Sequence, residues 1–184
     1  MRKVLLILTL SLAILCCNKG CNDNQSKTPT TQVSGNDVSV YFSPNGGCTD
    51  AVVKALDQAK DTVLVQAYSF TSAPIAKAVV DAHKRGVKIQ VILDKSQRTE
   101  KYSSADFLAH AGVPVQIDDK HQIAHNKIMI IDGETVITGS FNFTKAAEEH
   151  NAENLLIIHN KDLADKYAAN WKVHADHSVK YEGR

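Results

Sequence analysis

Four polar residues of types that handle phosphate, His125, Lys127, Ser140 and Asn142, flank a segment that reads as a β-hairpin. An imidazole can attack phosphorus or carry a proton, an ammonium supplies a point charge, and a hydroxyl and an amide supply donors. Residues 127–131 and 135–138 are strand-like, with the turn pair Asp132-Gly133 near their junction. With a two-residue turn, Ile131 faces Glu134 and His125 lies opposite Ser140; with a four-residue turn, Ile131 faces Val136 and His125 lies opposite Asn142. In both registers all four polar side chains share one face. A three-residue loop would instead oppose Phe141 to His125.

The elements that must position these residues alternate in type. Residues 38–42 alternate like a strand and run into the turn Ser43-Pro44-Asn45-Gly46-Gly47. A helix capped by Thr49 or Asp50 follows, with Val52, Val53, Leu56 and Ala59 on one face. Residues 62–67 read as a buried strand. A second helix opens at Ser72 and Pro74 and stops at Gly86, and residues 87–93 form the next strand. A short helix over residues 105–111 and a strand over 113–117 continue the alternation. Beyond the hairpin come a core strand at 155–158 and an amphipathic helix at 161–174 with Leu163, Tyr167 and Trp171 on one face. This order predicts a single-domain α/β/α sandwich with a mixed, largely parallel sheet.

A histidine or a hairpin lysine taken alone is more often an ordinary exposed side chain than a catalyst. The full string is more specific. His125-Asn-Lys127, then Asp132, then Gly139-Ser140-Phe-Asn142 resembles the complete signature of the phospholipase D superfamily, with six fixed positions over eighteen residues. The continuation through Phe143 and Thr144 to Glu153-Asn154 is similar to the small bacterial Nuc-type endonucleases, and the resemblance spans residues 38–171.

That resemblance implies a site needing two signatures, whereas this chain carries one. The chain is therefore expected to pair with itself across a two-fold axis. It also implies that His125 of one subunit attacks phosphorus while His125 of the other protonates the leaving oxygen and then activates water. Lys127 and Asn142 would stabilise the equatorial oxygens, and Glu153 would orient His125. Ser140 would either donate to phosphate or hold the loop. Asp132 belongs to the signature, although its place at the turn suits a structural role. No cofactor and no metal is expected. The cluster Lys95, Arg98, Lys101 and Tyr102 follows a strand at the edge where α/β folds bind ligands and is a candidate contact to a nucleic-acid backbone; a solvated loop containing Glu100 is the equal alternative.

The remaining sequence sets the context. Residues 1–17 combine Arg2 and Lys3, an apolar run over 4–15, and Cys16-Cys17, the order of an export signal. Its fate stays open between cleavage, lipidation at a cysteine and retention as a membrane attachment. Residues 18–37 are polar and read as a flexible tether, so the domain is expected to occupy residues 38–184. The 21 basic and 20 acidic residues give no global field to recruit a polyanion; any nucleic acid must be held by a local patch. Only Cys48 lies in the expected domain, which excludes a cysteine-rich zinc module, and an oxidising compartment would allow a Cys21 to Cys48 disulfide. His174 and His177 sit three apart without two further ligands in the sequence nearby, and His121 with His125 is no better placed, so neither pair is assigned a metal.

Three functions compete. The first is an exported nuclease acting on DNA, RNA or both. The second is a phospholipase or cardiolipin hydrolase at a membrane. The third is a non-catalytic phosphate-binding lipoprotein. The mature sequence shows no amphipathic stretch with aromatic anchors, which weighs against the second. The presence of every chemically needed residue weighs against the third.

Overall fold

The computed structural model describes residues 31–32 and 37–184. The export signal, most of the tether and Cys21 lie outside the described residues.

The apolar runs form strands and the amphipathic runs form helices, in the order β1 Thr31–Gln32, β2 Val38–Ser43, α1 Cys48–Gln58, β3 Thr62–Ala67, α2 Ala73–Lys84 and β4 Lys88–Asp94. The chain continues through α3 Ala105–His110, β5 Val115–Asp118, β6 Lys127–Ile131, β7 Thr135–Gly139, α4 Lys145–Glu149, β8 Glu153–His159, α5 Lys161–Ala175 and β9 Val179–Tyr181. A four-residue 3-10 turn, Lys95–Arg98, follows β4. All strands join one sheet in the order β1-β2-β8-β7-β6-β3-β4-β5-β9.

The sheet is mixed, but its parallel part is smaller than the sequence suggested. Only β3–β4 and β4–β5 pair in parallel, the two steps whose connections contain a crossover helix. The other pairs among the described strands are antiparallel. Two edge strands were not anticipated: β9 pairs with β5, and β1, inside the expected tether, pairs with β2.

One sheet face packs on α1 and α2 through a large cluster that includes Val63, Val65, Leu56, Ile75, Val79, Met129, Phe141 and Phe143. The opposite face packs on α5 through Ile92, Ile128, Ile130, Val136 and Trp171, with Leu163 and Tyr167 alongside. Trp171 also donates its indole N–H to Val65 O at 2.9 Å, which orients the helix on the sheet. The layers are therefore α/β/α.

Helix α1 begins at Cys48, one or two residues before the predicted caps. Its first N–H groups are met from a distance: Glu148 Oε1 accepts from Gly47 N at 3.1 Å and Oε2 from Thr49 N at 2.7 Å. A capping carboxylate one hundred residues away leaves no local sequence signal. Cys48 is free and fully buried, and burial together with the nearby Glu148 charge pushes its thiol up to about 12.

Candidate active site

Strands β3, β4 and β5 run parallel and end at one edge of the sheet. Antiparallel pairing makes β6 and β8 begin at that edge and β7 end there. His125, Lys127, Ser140, Asn142 and Glu153 all fall at or just beyond these strand ends. This is the edge where open α/β sheets leave room for ligands.

Tyr68, immediately after β3, organises the first half of the site. Its N–H donates to Asn126 O at 2.8 Å, extending the β3–β6 ladder past the strand ends. Its ring centre lies 4.6 Å from that of His125, and Lys127 Nζ stands 5.1 Å from the same ring centre. Lys127 is only 7% exposed and donates to His125 O at 2.9 Å. Burial lowers its pKa below the ordinary lysine value, and the Glu153 carboxylate opposes that shift. The His125 side chain itself is exposed. An accessible imidazole thus sits beside a desolvated cation.

The second half comes from the end of β7, and here the hairpin differs from both registers considered above. Ile131 pairs with Thr135, so the loop has three residues. Asp132 and Gly133 adopt positive φ of 54° and 65°, and Glu134 is carried out of the ladder, its carbonyl taking the N–H of Asn160 at 2.8 Å. Pairing of β6 with β7 ends at Met129–Ile137, so cross-strand parity does not govern the residues beyond. A bulge does. Ser140 N and Phe141 N both donate to Asn154 O at 3.1 Å, two residues against one, and re-aim the chain. Phe141 and Phe143 then enter the core, and Asn142 stands between them. Gly139 makes this close approach feasible: its φ is 143°, and a Cβ there would meet Asn154 O at 2.3 Å.

Asn142 Oδ1 is buried and makes no hydrogen bond, a costly state for an amide oxygen. Turning the amide over would present an N–H instead. Ser140 Oγ accepts from Asn154 N at 3.1 Å and from Asn154 Nδ2 at 3.3 Å. Of the two roles open to it, holding the loop is visible, and its hydroxyl proton stays available to an acceptor. Glu153 accepts from Asn151 Nδ2 at 3.2 Å, and its N–H donates to Ser43 Oγ at 3.2 Å. Among the described residues no hydrogen bond joins Glu153 to His125; its visible influence is on the charge of Lys127.

Asp132, grouped with the catalytic residues by the signature, lies at the far end of β6. Five residue-to-residue steps along the strand, roughly 16 Å, separate it from Lys127. Its Oδ1 accepts from Asp61 N at 2.8 Å and from Thr62 N at 3.0 Å, and its Oδ2 from Lys60 N at 3.0 Å. It pins the start of β3 to the hairpin. Burial would raise its pKa, but these backbone N–H groups hold it below the usual carboxylate value.

Lys95, Arg98 and Lys101 occupy the 3-10 turn and loop after β4, at the same sheet edge as His125. Lys95 Nζ donates to His121 O at 3.0 Å, and Lys101 Nζ lies 5.3 Å from the Tyr102 ring centre. Sequence reasoning missed Tyr68, and it missed two anchors. Buried Asp94 accepts from Ala124 N at 2.7 Å, fixing the residue before His125, and buried Gln97 accepts from Phe70 N at 3.3 Å. Their only sequence signal is position, at or just after a strand end on the ligand-binding edge.

His174 and His177, which the sequence left without two further ligands nearby, meet His121 and Asp118 in the fold, the four potential ligand atoms lying within 4.8 Å of one another.

With this geometry in hand, comparison with known proteins is informative. Residues 52–174 match the family described as cardiolipin synthase, PLD-like domain. The Nuc protein of Salmonella typhimurium, a phospholipase D family member of known structure, superposes with a TM-score of 0.77 at 39% identity, over 79% of this chain and 98% of that one. NucT from Helicobacter pylori gives 0.73 at 26% identity, over 78% and 98%. A protein named phospholipase D from Rickettsia conorii is 43% identical over 141 residues, 77% of this chain and 70% of its own. The mouse mitochondrial cardiolipin hydrolase is 34% identical over 107 residues, and the match spans 58% of this chain and 48% of that one. The chain thus belongs to the PLD-like domain family and is a single-signature phosphodiesterase of the phospholipase D superfamily.

Proposed function

We propose that this phosphodiesterase is an endonuclease that cleaves DNA, RNA or both through a phosphohistidine, in a homodimer that joins two copies of the site edge. The observation that carries the reading is the exposed His125 imidazole beside buried, cationic Lys127, on a sheet edge that also bears Lys95, Arg98 and Lys101. Likeness to Salmonella Nuc over nearly all of that chain supports it.

In the first step a ring nitrogen of His125 donates its lone pair to phosphorus. The bond from phosphorus to the leaving oxygen breaks, and that oxygen takes a proton from His125 of the partner subunit. In the second step water attacks phosphorus and gives its proton to His125 of the partner subunit, while the P–N electrons return to the imidazole. Lys127 and Asn142 meet the negative charge on the non-bridging oxygens, where each such group is worth roughly 3 kcal/mol in comparable sites. Glu153 supports the cation on Lys127 and orients His125 once the dimer closes the site. The export-type sequence of residues 1–17, outside the described residues, supports placing the enzyme in the periplasm or at a membrane anchor facing the periplasm or the outside.

A lipid substrate is the second reading. Beside the relatives named phospholipase D and cardiolipin hydrolase, it draws on Tyr102 and Ile123, 69% and 52% exposed in the loops after β4 and β5 at the site edge. The purified full chain, assayed on plasmid DNA, RNA and vesicles of phosphatidylcholine or cardiolipin, separates the two. Nucleic-acid cleavage that vanishes in His125→Ala is expected. Lipid hydrolysis with intact DNA and RNA would overturn the nuclease reading.

A further inference from the structure

Away from the signature residues, four side chains converge that no part of the phosphodiesterase mechanism uses. Asp118 is the last residue of β5 and its side chain is fully buried on the α5 face of the sheet. His174 comes from the last turn of α5, His177 from the turn after it, and His121 from the loop between β5 and β6. Asp118 Oδ2 lies 2.8 Å from His174 Nδ1 and 3.1 Å from His121 Nδ1, and Asp118 Oδ1 lies 3.2 Å from His177 Nε2. The three imidazole ring centres stand 4.9, 5.3 and 5.4 Å apart. Three rings thus crowd one buried carboxylate.

Hydrogen bonding inside the cluster leaves it incomplete. Asp118 Oδ1 already accepts from Lys120 N at 3.1 Å and faces His121 Nδ1 at 3.2 Å, and buried His177 Nε2 stands 3.2 Å from the same oxygen without a well-aligned hydrogen bond. A buried ring nitrogen whose polar neighbour is an oxygen already shared by other donors is under-satisfied. One cation at the centre would satisfy all four groups together.

We propose that Asp118, His121, His174 and His177 bind a divalent transition metal, with Zn²⁺ the best match, in a closed tetrahedral site that anchors the loop carrying His125. Three imidazole nitrogens and one carboxylate oxygen form a donor set suited to zinc and poorly suited to magnesium or calcium. Ligands about 2.0 Å from a tetrahedral centre are separated by roughly 3.3 Å, whereas the four ligand atoms here lie within 4.8 Å of one another, so metal binding requires the imidazoles to draw in by up to about 1.5 Å. With four protein ligands no position is left for water or substrate, which makes the site structural. Entry is open from one side, since His121 is 46% exposed whereas His174 is 14% exposed.

The site's place in the fold gives it a consequence for the active site. His121 precedes His125 by four residues, and the loop between them is otherwise held by the bonds of Ala124 N to Asp94 and of Lys95 to His121 O. A metal would tie this loop to β5 and to the end of α5, limiting the positions His125 can take.

The test uses tag-free full-length protein, stripped with chelator, with Cys16, Cys17 and Cys21 blocked by alkylation, and then dialysed against Zn²⁺ or Co²⁺. The expected results are one metal per chain after gel filtration, the intense visible absorption of tetrahedral Co²⁺, and a raised Tm. Free Zn²⁺ at about 100 times Kd should shift the folding equilibrium about 100-fold. His174→Ala should lose all three effects, and His121→Ala, on an exposed loop where folding is not at stake, should lose the tetrahedral spectrum. Wild-type protein that retains no stoichiometric metal, or variants that bind it as wild type does, would overturn the proposal.

Discussion

Lys127 and Tyr68 form a cation–π pair at the mouth of the site, Nζ standing 5.1 Å from the ring centre. The ammonium is nearly buried and keeps its charge against desolvation through few groups: this ring, the His125 carbonyl and the Glu153 carboxylate. A charge held so narrowly should be visible in kinetics.

The alkaline limb of kcat/KM should therefore report Lys127. Burial favours its neutral form, so activity should fall at a pH below that of an ordinary lysine, about 10.4. Glu153 raises the Lys127 pKa, so Glu153→Gln should move the limb to still lower pH and reduce kcat more than it changes KM. Tyr68→Leu should cost about tenfold in kcat/KM, corresponding to a cation–π contact of about 1–2 kcal/mol. A limb that stays in place in Glu153→Gln would show that the two charges are not coupled.

Asp132 should behave as a structural residue. Asp132→Ala is expected to lose about 1–3 kcal/mol of stability by denaturant titration, because backbone donors lose their acceptor, while activity per folded molecule stays near wild type. Since its folded pKa lies below the ordinary carboxylate value, its contribution is present above about pH 4 and is lost as pH falls through the lowered value. The stability gap between wild type and Asp132→Asn should narrow over that acid range. A large kcat loss at unchanged stability would return Asp132 to the chemistry.

Chelation separates the two metal questions. The catalytic step, built on two histidines, Lys127 and Asn142, should need no Mg²⁺. Activity lost in EDTA and restored by Mg²⁺ would contradict that mechanism. Partial loss restored by Zn²⁺ but not Mg²⁺ would instead follow from the Asp118 site.

How much of this was legible in the sequence differs by residue. Periodicity placed β3 and β6 at their observed bounds and the other core strands and main helices within a few residues, because burial on one or both faces is written directly into the pattern. Of the signature residues, His125, Lys127, Ser140 and Asn142 gather at one sheet edge, whereas Asp132 lies at the far end of β6. The hairpin register was not legible: positive φ at Asp132 together with displacement of Glu134 gives three loop residues, and the bulge at Ser140 depends on Asn154 in another strand. The Asp118 cluster was hidden for the same reason. Its members are drawn from β5, a loop and the end of α5, and only the fold makes them neighbours.

Subunit mixing tests the shared site most directly. Wild-type and His125→Ala chains, unfolded together in equal amounts and refolded, should pair at random into about one quarter wild-type, one half mixed and one quarter doubly mutant dimers. Mixed dimers lack either the nucleophile or the acid, so activity at equal total chain should fall toward about one quarter of the all-wild-type control. Retention of about one half, or full activity in a species that runs as a monomer on size exclusion, would contradict a site built from two chains.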